Sequence, residues 1–563
     1  MKTQNLRPWL ILLVSFLAYA AYWSYVSIIR YYSLSAGPQL MVNMLLGWEA
    51  VHGQIYLISH GIAYVLFPIF LSGSYISLII FGSAVTGLGA FPLYGIATLK
   101  LKDRRVALLI AISYLLYFPL AGINWSIFSF QSVFPALFLF GYYFYLKKMV
   151  RLSFISFALS CFVGFPYPVF VLAFGLGILW KERERLGICL LTLSTIALAA
   201  EMLVPGVLQV SFSMNILKFY TVFLILLPLL FLPLMSKWAL MLIPYLAMLG
   251  LSSSSSLYYP QIFFSPYPAL FIAFVYIGVA DGLKRIKQDK VLVSAVVLLL
   301  SVSLFAIAYE PYSPVNRYST LNYNVPSKIN WANYDAQAKM DSLIPENTVL
   351  LVQSNMPDAF PQRNVTAAII SGYTTASNMS AVTGILMDPF SSSFNVSNGK
   401  SPSMNQMVSK IHGDFGVAGE YNGTVLLLKD YTGNVKYYVP LDLNISPGQF
   451  GVRVSATNPL LSGQQLWYGP YLVLPQGTYN ITFMIDSPAP QAGDMMEILE
   501  YVNNTGPVAI KMVYGQQLSS GLNMETLSFI VNSSYERIEF SGYAVHWYGA
   551  FNLNEIEIKQ IKS

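Results

Sequence analysis

The sequence predicts a membrane all-α polytopic bundle of about 11 transmembrane helices, followed by an extracytoplasmic α/β layer and a C-terminal, jelly-roll-like β-sandwich. Two observations predict this fold. Apolar stretches long enough to cross about 30 Å of hydrocarbon recur through residue 309 and then stop. Of the 563 residues, 55% are hydrophobic and only 10% are charged, against about 25% charged residues in soluble globular proteins. An ordinary soluble enzyme and an intrinsically disordered chain are therefore excluded.

The clear candidates for membrane spans are residues 9–29, 75–99, 106–126, 130–146, 186–209, 218–235, 238–256, 267–283 and 291–309. The first of them lacks a small-residue cleavage site, so we expect an uncleaved span rather than a signal peptide. Residues 152–180 contain a Gly-Phe-Pro-Tyr-Pro break, which predicts a hairpin of two short helices because proline interrupts a helix. Residues 54–72 contain His60 and Pro68, so we expect a re-entrant or interfacial segment at the outer face.

The distribution of charge predicts the orientation in the membrane. Residues 1–309 hold 19 Lys and Arg against 7 Asp and Glu, whereas residues 310–563 hold 13 against 19. Short basic clusters separate alternate spans, and cytoplasmic loops carry the excess of Lys and Arg. Placing the clusters inside leaves only Arg30 and Lys218 outside. We therefore expect a multi-pass cell-membrane protein with a cytoplasmic N-terminus and an extracellular C-terminal half, whose partner is the lipid bilayer and not nucleic acid.

The C-terminal half carries potential glycosylation sites, which require an extracytoplasmic compartment. The Asn-X-Ser/Thr sequons begin at Asn364, Asn378, Asn395, Asn422, Asn444, Asn480, Asn503 and Asn532. The alternative is that these are merely Asn- and Ser-rich loops. Both cysteines, Cys161 and Cys189, lie in the membrane half, so the outer half has no disulfide, a combination that suits an archaeal cell surface.

Hydropathy divides the chain into a transmembrane domain at 1–309, a linker at 310–345, a small α/β domain at 346–430 and a β-sandwich at 431–563. Period-two alternation typical of half-buried strands dominates the last of these. The expected strands include 436–443, 450–456, 466–474, 478–485, 507–514, 524–531, 535–548 and 553–560. Within them Tyr543, His546, Trp547 and Tyr548 are candidates for stacking on a sugar, although alternation buries half of these side chains.

The first outer loop is the strongest candidate for chemistry. Glu49 is a candidate general base, and Arg30, His52, His60 and Lys218 are candidates for binding a phosphate group. The structural alternative is that Arg30 snorkels at the end of its span and that the histidines satisfy local hydrogen bonds.

Glu201 is a further candidate, since ionisable groups within spans are costly and often functional. Its alternative is solvation near the membrane interface. No metal-ligand spacing, P-loop or dinucleotide fingerprint occurs in the sequence, so no cofactor is evident and a divalent metal is unsupported.

Several segments, in this order, resemble those of a known family. They are Trp48 to Gly53 (Trp-Glu-Ala-Val-His-Gly), the His60 and Pro68 region, Phe128 to Pro135, Phe415 to Leu428 and Trp467 to Tyr479. Together they resemble the domain-of-unknown-function 2079 family of archaeal and bacterial multispanning membrane proteins. The layout of that family is similar to that of C-type membrane glycosyltransferases, which use lipid-phosphate sugars. The resemblance implies an outer-loop carboxylate that deprotonates the acceptor hydroxyl and basic residues that hold the donor phosphate.

The sequence also departs from the family pattern. Ser129 and Gln131 occupy the positions of a His and a Glu in the family's Phe-His-x-Glu segment, and Met44 occupies the position of an Asp. Glutamine has the shape of glutamate but accepts no proton at any useful pH. Glu49 is then the only carboxylate in the first outer loop, at a position where the family has Asn.

Three hypotheses follow. In the first, the chain is a glycosyltransferase, active or inactive, that acts on lipid-linked sugars at the outer face. In the second, it is a non-catalytic, membrane-anchored surface protein that binds envelope glycans or an envelope glycoprotein. In the third, it is a lipid or solute transporter.

Overall fold

The computed structural model divides into two compact units, Met1–Ile329 and Asn330–Ser563. The residues that the structure describes are 6–33, 40, 43–44, 46–47, 51, 61–70, 74–182, 185–202, 215–252, 257–259, 261–288, 290–309, 331–353, 356, 368–370, 382–388, 415–421, 424–432, 442–445, 454–457, 461–469, 472–474, 477–502, 507–532 and 536–562.

The first unit is helical. Its α-helices are α1 (Leu6–Tyr32), α2 (Ile62–Val65), α3 (Phe67–Phe70), α4 (Tyr75–Leu88), α5 (Ala90–Leu101), α6 (Arg104–Leu115), α7 (Phe118–Trp125), α8 (Phe134–Leu146), α9 (Val150–Cys161), α10 (Tyr167–Glu182), α11 (Arg185–Met202), α12 (Ile216–Leu226), α13 (Ile243–Leu251), α14 (Ala269–Lys284) and α15 (Val291–Tyr309). Short 3-10 helices lie at Phe130–Val133, Leu227–Leu229, Leu232–Met235, Lys237–Leu242 and Gln261–Phe264.

Four helical segments in the described residues are long and apolar enough to cross a membrane: Arg7–Tyr32, Tyr75–Leu101, Arg185–Met202 and Val291–Tyr309. A fifth span results if α6 and α7, which meet at 41°, are counted as one. The remaining apolar helices are shorter. The unit is therefore a bundle of apolar helices, as expected for a membrane protein.

Three expected spans, 106–126, 218–235 and 238–256, are not single continuous helices; the first is the bent pair α6 and α7. In the stretch 218–235, α12 gives way to 3-10 turns, and both Leu230 and Phe231 have positive φ angles of 54°. In 238–256, a 3-10 helix precedes the nine-residue α13. The prolines explain the breaks, since each lies in the first turn of a new helical segment and cannot continue the preceding one.

The predicted hairpin at 152–180 is present. Helices α9 and α10 are joined across a cis Phe165–Pro166 peptide bond. The Ile62 amide donates to the Phe162 carbonyl oxygen at 2.8 Å, so α2 is tied to this turn. Helices α2 and α3 have only four residues each, about 6 Å of rise, which is far too short to span.

One ion pair joins distant helices of the first unit. The Lys100 ammonium group on α5 contacts the Asp281 carboxylate on α14, and the Ser236 hydroxyl donates to the same carboxylate at 2.8 Å. Lys100 also lies 4.9 Å from the ring centroid of Tyr142. Since the positive-inside rule assigns Lys100 to the cytoplasmic side, this network belongs to the end of the unit that we expect inside.

The second unit begins with α16 (Trp331–Asp341) and a mixed five-stranded sheet. Its strands are β1 (Leu350–Val352), β2 (Ala368–Ile370), β3 (Gly384–Met387), β4 (Phe415–Tyr421) and β5 (Thr424–Lys429), in the order β2-β1-β3-β5-β4. Strand β1 pairs in parallel with β2 and β3, and the other pairs are antiparallel. Helix α16 packs against β4 and β5, so this region is an α/β layer.

Two antiparallel sheets complete the unit. Their strands are β6 (Asp442–Ile445), β7 (Ser455–Ala456), β8 (Leu461–Trp467), β9 (Leu472–Leu474), β10 (Gly477–Ser487), β11 (Met495–Val502), β12 (Pro507–Tyr514), β13 (Gly521–Val531), β14 (Glu536–Trp547) and β15 (Phe551–Lys562). One sheet has the order β13-β10-β15-β6 with β7 beside β15, and the other has the order β12-β11-β14-β8 with β9 beside β14.

The inward residues of both sheets form one apolar cluster. Along β10, alternate residues are buried from end to end, as the period-two pattern predicts. Phe483 of the first sheet lies 6.1 Å from Phe540 of the second, measured between ring centroids. The two sheets are therefore held together by the burial of their apolar faces.

Candidate functional site

Arg30 lies in the last turn of α1 and is only 4% exposed. Its guanidinium carbon is 4.1 Å from the ring centroid of Trp125, the last residue of α7. The same guanidinium donates a hydrogen bond to the Trp125 carbonyl oxygen. A desolvated cation over an indole ring is a favourable contact, so Arg30 is held inside the unit and does not snorkel.

The chain after α7 forms a buried polar loop. Ile127 takes a left-handed conformation with φ 63°, and the Phe130 amide donates to the Asn43 side-chain oxygen at 3.3 Å. Ser129 is 0% exposed, and neither its hydroxyl nor that of Ser126 has a hydrogen-bond partner within the described residues. A buried polar group without a partner costs about 1–3 kcal/mol, so this loop is suited to a polar ligand or to water.

Lys218 lies in the first turn of α12 and is 5% exposed. Its ammonium group donates to the Ser252 carbonyl oxygen at 2.8 Å and lies 5.8 Å from the ring centroid of Tyr258. The neighbouring amide of Tyr259 donates to Thr221 Oγ1 at 2.7 Å. The segment 257–259 is thus fixed against α12 beside the lysine.

Aromatic contacts tie both cations to the neighbouring segments 257–259 and 261–264. Trp125, beneath Arg30, lies 5.6 Å from Phe264, and Phe263 lies 6.3 Å from Tyr259, both measured between ring centroids. Gly122 permits this packing, because a Cβ atom there would lie 2.6 Å from the Phe263 carbonyl oxygen. The structure therefore brings Arg30 and Lys218 to the same end of the helical unit.

The other predicted site residues of the first outer loop, Glu49, His52 and His60, lie outside the described residues. Other positions of the same loop are described: residues 40, 43–44, 46–47 and 51 are helical. The side chains of Leu40 and Met44 are buried. This segment packs against the bundle, because the Phe70 ring fills the space beside Gly47.

Glu201 lies in the last turn of α11 and is 2% exposed. Its carboxylate approaches the backbone of Phe165 but completes no hydrogen bond of ordinary geometry with the residues described. The Tyr167 hydroxyl is likewise buried without a described partner. Glu201 is therefore shielded from solvent by the residues around it.

Three of the predicted glycosylation positions fall within described strands or at their ends. Asn480 lies in β10, where its side-chain oxygen accepts a hydrogen bond from Ser528 at 2.6 Å, and Asn532 follows β13 and is exposed. Asn444 lies in β6. The remaining five, Asn364, Asn378, Asn395, Asn422 and Asn503, lie outside the described residues.

Within the part of the chain that the structure describes, no group of three or more metal-binding side chains occurs.

Residues 52–223 and 207–426 match the model of the family described as Predicted membrane protein (DUF2079). This chain belongs to that family. The two DUF2079 matches cover the helical unit from residue 52 onward and extend through the mixed sheet of the second unit. The chain is thus a predicted membrane protein whose paired C-terminal sheets lie beyond the matched region. No curated protein matches the chain significantly.

Two solved structures show weak likenesses to the chain. Arabinofuranosyltransferase AftD from Mycobacteria is 10% identical over 96% of this chain, with a TM-score of 0.38, and this chain spans 61% of that protein. The C-terminal CBM6 of the laminarinase LamC from Zobellia galactanivorans is 15% identical, with a TM-score of 0.17; the match covers 21% of this chain and 99% of that one. Neither likeness assigns an activity to this chain.

Proposed function

We propose that this protein is a membrane glycosyltransferase that binds a lipid-phosphate sugar at the outer end of its helical unit. The observation that carries the proposal is that two buried cations, Arg30 and Lys218, lie at the same end of the helical bundle. Burying a cation in a membrane unit is costly, and cations kept there usually serve a function. Each of these two is oriented by a backbone carbonyl and an aromatic ring, which positions charged donors for an anion.

The proposed chemistry uses Glu49 as the general base. Its carboxylate accepts the proton of an acceptor hydroxyl as that oxygen forms a bond to the anomeric carbon of the donor sugar. The bond between that carbon and the lipid phosphate breaks, and the phosphate leaves with the bonding electrons. Arg30 and Lys218, with His52 and His60, stabilise the negative charge on the departing phosphate.

The proposal includes the finer topology: about 11 spans, a cytoplasmic N-terminus, and an extracellular C-terminal half with a jelly-roll-like sandwich and glycans at the sequons. Protease added to intact cells should then digest the second unit. If the second unit is digested only after the cells are opened, it lies inside the cell, which would contradict a site at the outer face.

Phosphate binding is tested with the full chain in nanodiscs containing polyprenyl phosphate, detected by native mass spectrometry. Arg30→Gln and Lys218→Met should each lower the bound lipid phosphate about tenfold. Lys147→Met, at an exposed lysine, is the matched control and should retain it. If all three variants bind as much polyprenyl phosphate as the wild type, the proposal is contradicted.

Catalysis is tested separately through Glu49. Glu49→Gln keeps the size of the side chain but removes the base, so phosphate binding should persist while lipid-linked and protein-linked glycans disappear from cells carrying the variant. Unchanged glycans together with intact binding would favour the non-catalytic surface protein, whose partner would be an envelope glycan or glycoprotein.

A further inference from the structure

A shallow groove of about 430 Å³ crosses the outward face of the sheet formed by β8, β14 and β11. Side chains that line it include Ser462, Glu497, Leu499, Tyr501, Tyr543 and His546. Every one of these residues belongs to the second unit. The volume lies within the range of about 300–1,000 Å³ common among ligand sites.

Two tyrosines form the centre of the groove. Tyr501 on β11 and Tyr543 on β14 are both half-buried, and their hydroxyl groups are neighbours. Burial raises the pKa of Tyr501, and the nearby Tyr543 and Glu539 raise it further. Each ring offers an apolar face and a hydroxyl group at its edge.

Hydrogen-bonding groups flank the tyrosines on both sides. Glu497 is the cross-strand partner of Tyr543 on β11, and Gln465 is its partner on β8. At the other end, the Ser462 hydroxyl lies 3.4 Å from Nδ1 of His546. Gly463, with φ 63° and open space where a Cβ would lie, keeps that end of the groove unobstructed. The carboxylate, hydroxyl and imidazole groups of the lining together supply both donors and acceptors.

The groove is poorly suited to two other classes of ligand. Among the described residues, its lining contains the Glu497 carboxylate and no Lys or Arg, so an anionic polymer would meet repulsion and no described cationic partner. Strands β11 and β14 are interior strands, paired on both sides. A peptide could add as a strand only beside β8, the outermost described strand on that side, and not along β11 and β14, which carry the two tyrosines.

We infer that this groove binds a segment of a neutral polysaccharide. A pyranose ring has apolar C–H faces that fit against tyrosine rings, and its hydroxyl edges pair with the polar groups that flank them. Because the groove is open along the sheet face, it can hold part of a polysaccharide that continues beyond the groove at both ends. An enclosed pocket would instead hold a single small molecule. The inference does not rest on lipid-phosphate binding by the first unit and would stand if that proposal failed.

The experiment uses the full-length protein in nanodiscs and a panel of neutral hexasaccharides with glucan, mannan, xylan and arabinan backbones, measured by calorimetry. A heparin hexasaccharide of similar length is the anionic control. At least one neutral hexasaccharide should bind, and the heparin fragment should bind at least tenfold more weakly. Failure of all four neutral probes, or preference for heparin, would overturn the inference.

Variants locate the binding surface. Tyr501→Ala and Tyr543→Ala should each weaken affinity about tenfold by removing a stacking face, while Tyr543→Phe keeps the ring and should retain most of the affinity. Tyr514→Ala is the matched control, because Tyr514 is an exposed tyrosine on β12 of the same sheet that does not line the groove. Equal loss in the Tyr514 variant, or no loss in the Tyr501 and Tyr543 variants, would place binding elsewhere and overturn the assignment.

Discussion

The guanidinium group of Arg30 contacts Trp125 twice: it lies over the indole ring, and it donates a hydrogen bond to the carbonyl oxygen of the same residue. The two residues are 95 positions apart in the sequence. The contact joins the end of α1 to the end of α7. It also sets the position of the guanidinium group that α1 contributes to the proposed phosphate site.

Arg30→Lys tests whether this double contact matters beyond charge. A lysine keeps the positive charge but cannot stack a planar group on the indole while donating to the carbonyl, so the two are not interchangeable at such a site. We expect polyprenyl phosphate to bind several-fold more weakly, with helical content unchanged by circular dichroism. Wild-type affinity in Arg30→Lys would show that charge alone is sufficient.

Gly122→Ala tests the packing that links Trp125 to the 261–264 turn. The added Cβ would lie 2.6 Å from the Phe263 carbonyl oxygen, and backbone atoms cannot move aside cheaply. We expect a loss of about 1–3 kcal/mol in unfolding free energy, seen as a lower melting temperature in detergent.

Gly250→Ala is the matched control for this packing, because Gly250 is also helical and has open space around it. It should leave the melting temperature unchanged or slightly raise it, since alanine favours a helix over glycine. A similar loss in both variants would argue against the close approach of Gly122 to Phe263.

Glu420 predicts a pH dependence in the mixed sheet of the second unit. It is 3% exposed and pairs with Val425, which belongs to the apolar cluster of that sheet. Burial raises the pKa of its carboxyl group to about 7. Between the ordinary value and about 7, the folded state binds a proton that the unfolded state does not, so unfolding free energy falls as pH rises through this window.

The size of the effect is about 3 kcal/mol between acid and pH 8. Hydrogen exchange of β4 and β5 in the full chain should therefore be faster at pH 8 than at pH 5 after correction for the intrinsic rate. Glu420→Gln, which carries no charge at either pH, should flatten this dependence. If the Glu420→Gln variant keeps the same pH dependence of hydrogen exchange, that dependence arises from another titrating group.

Asn532 offers a test of the proposed outward topology. It is exposed just after β13. In a host that N-glycosylates extracytoplasmic sequons, Asn532→Gln should remove one glycan, seen as a mass decrease that glycosidase treatment abolishes. Identical masses for wild type and variant would count against glycosylation at this position.

Strand prediction succeeded where alternation was uninterrupted and failed where it was broken. Strands β10, β12, β13, β14 and β15 follow the expected period-two stretches. Strand β11 was missed, because Glu500, which is 0% exposed, occupies an inward position that the pattern requires to be apolar. Tyr501 and Glu497 were therefore not among the predicted candidates for sugar contact, whereas Tyr543 and His546 were. Trp547, also a candidate, belongs to the core.

The sequence by itself determined the class of the protein, the hairpin at 152–180 and the alternating strands, because local hydropathy, proline and period two encode these directly. It also singled out Arg30 and Lys218 from charge distribution alone. Only the tertiary structure decided that these two cations share one end of the helical unit and that Tyr501 meets Tyr543. Those contacts join residues far apart in the chain, and they depend on how helices and strands pack, which no local pattern specifies.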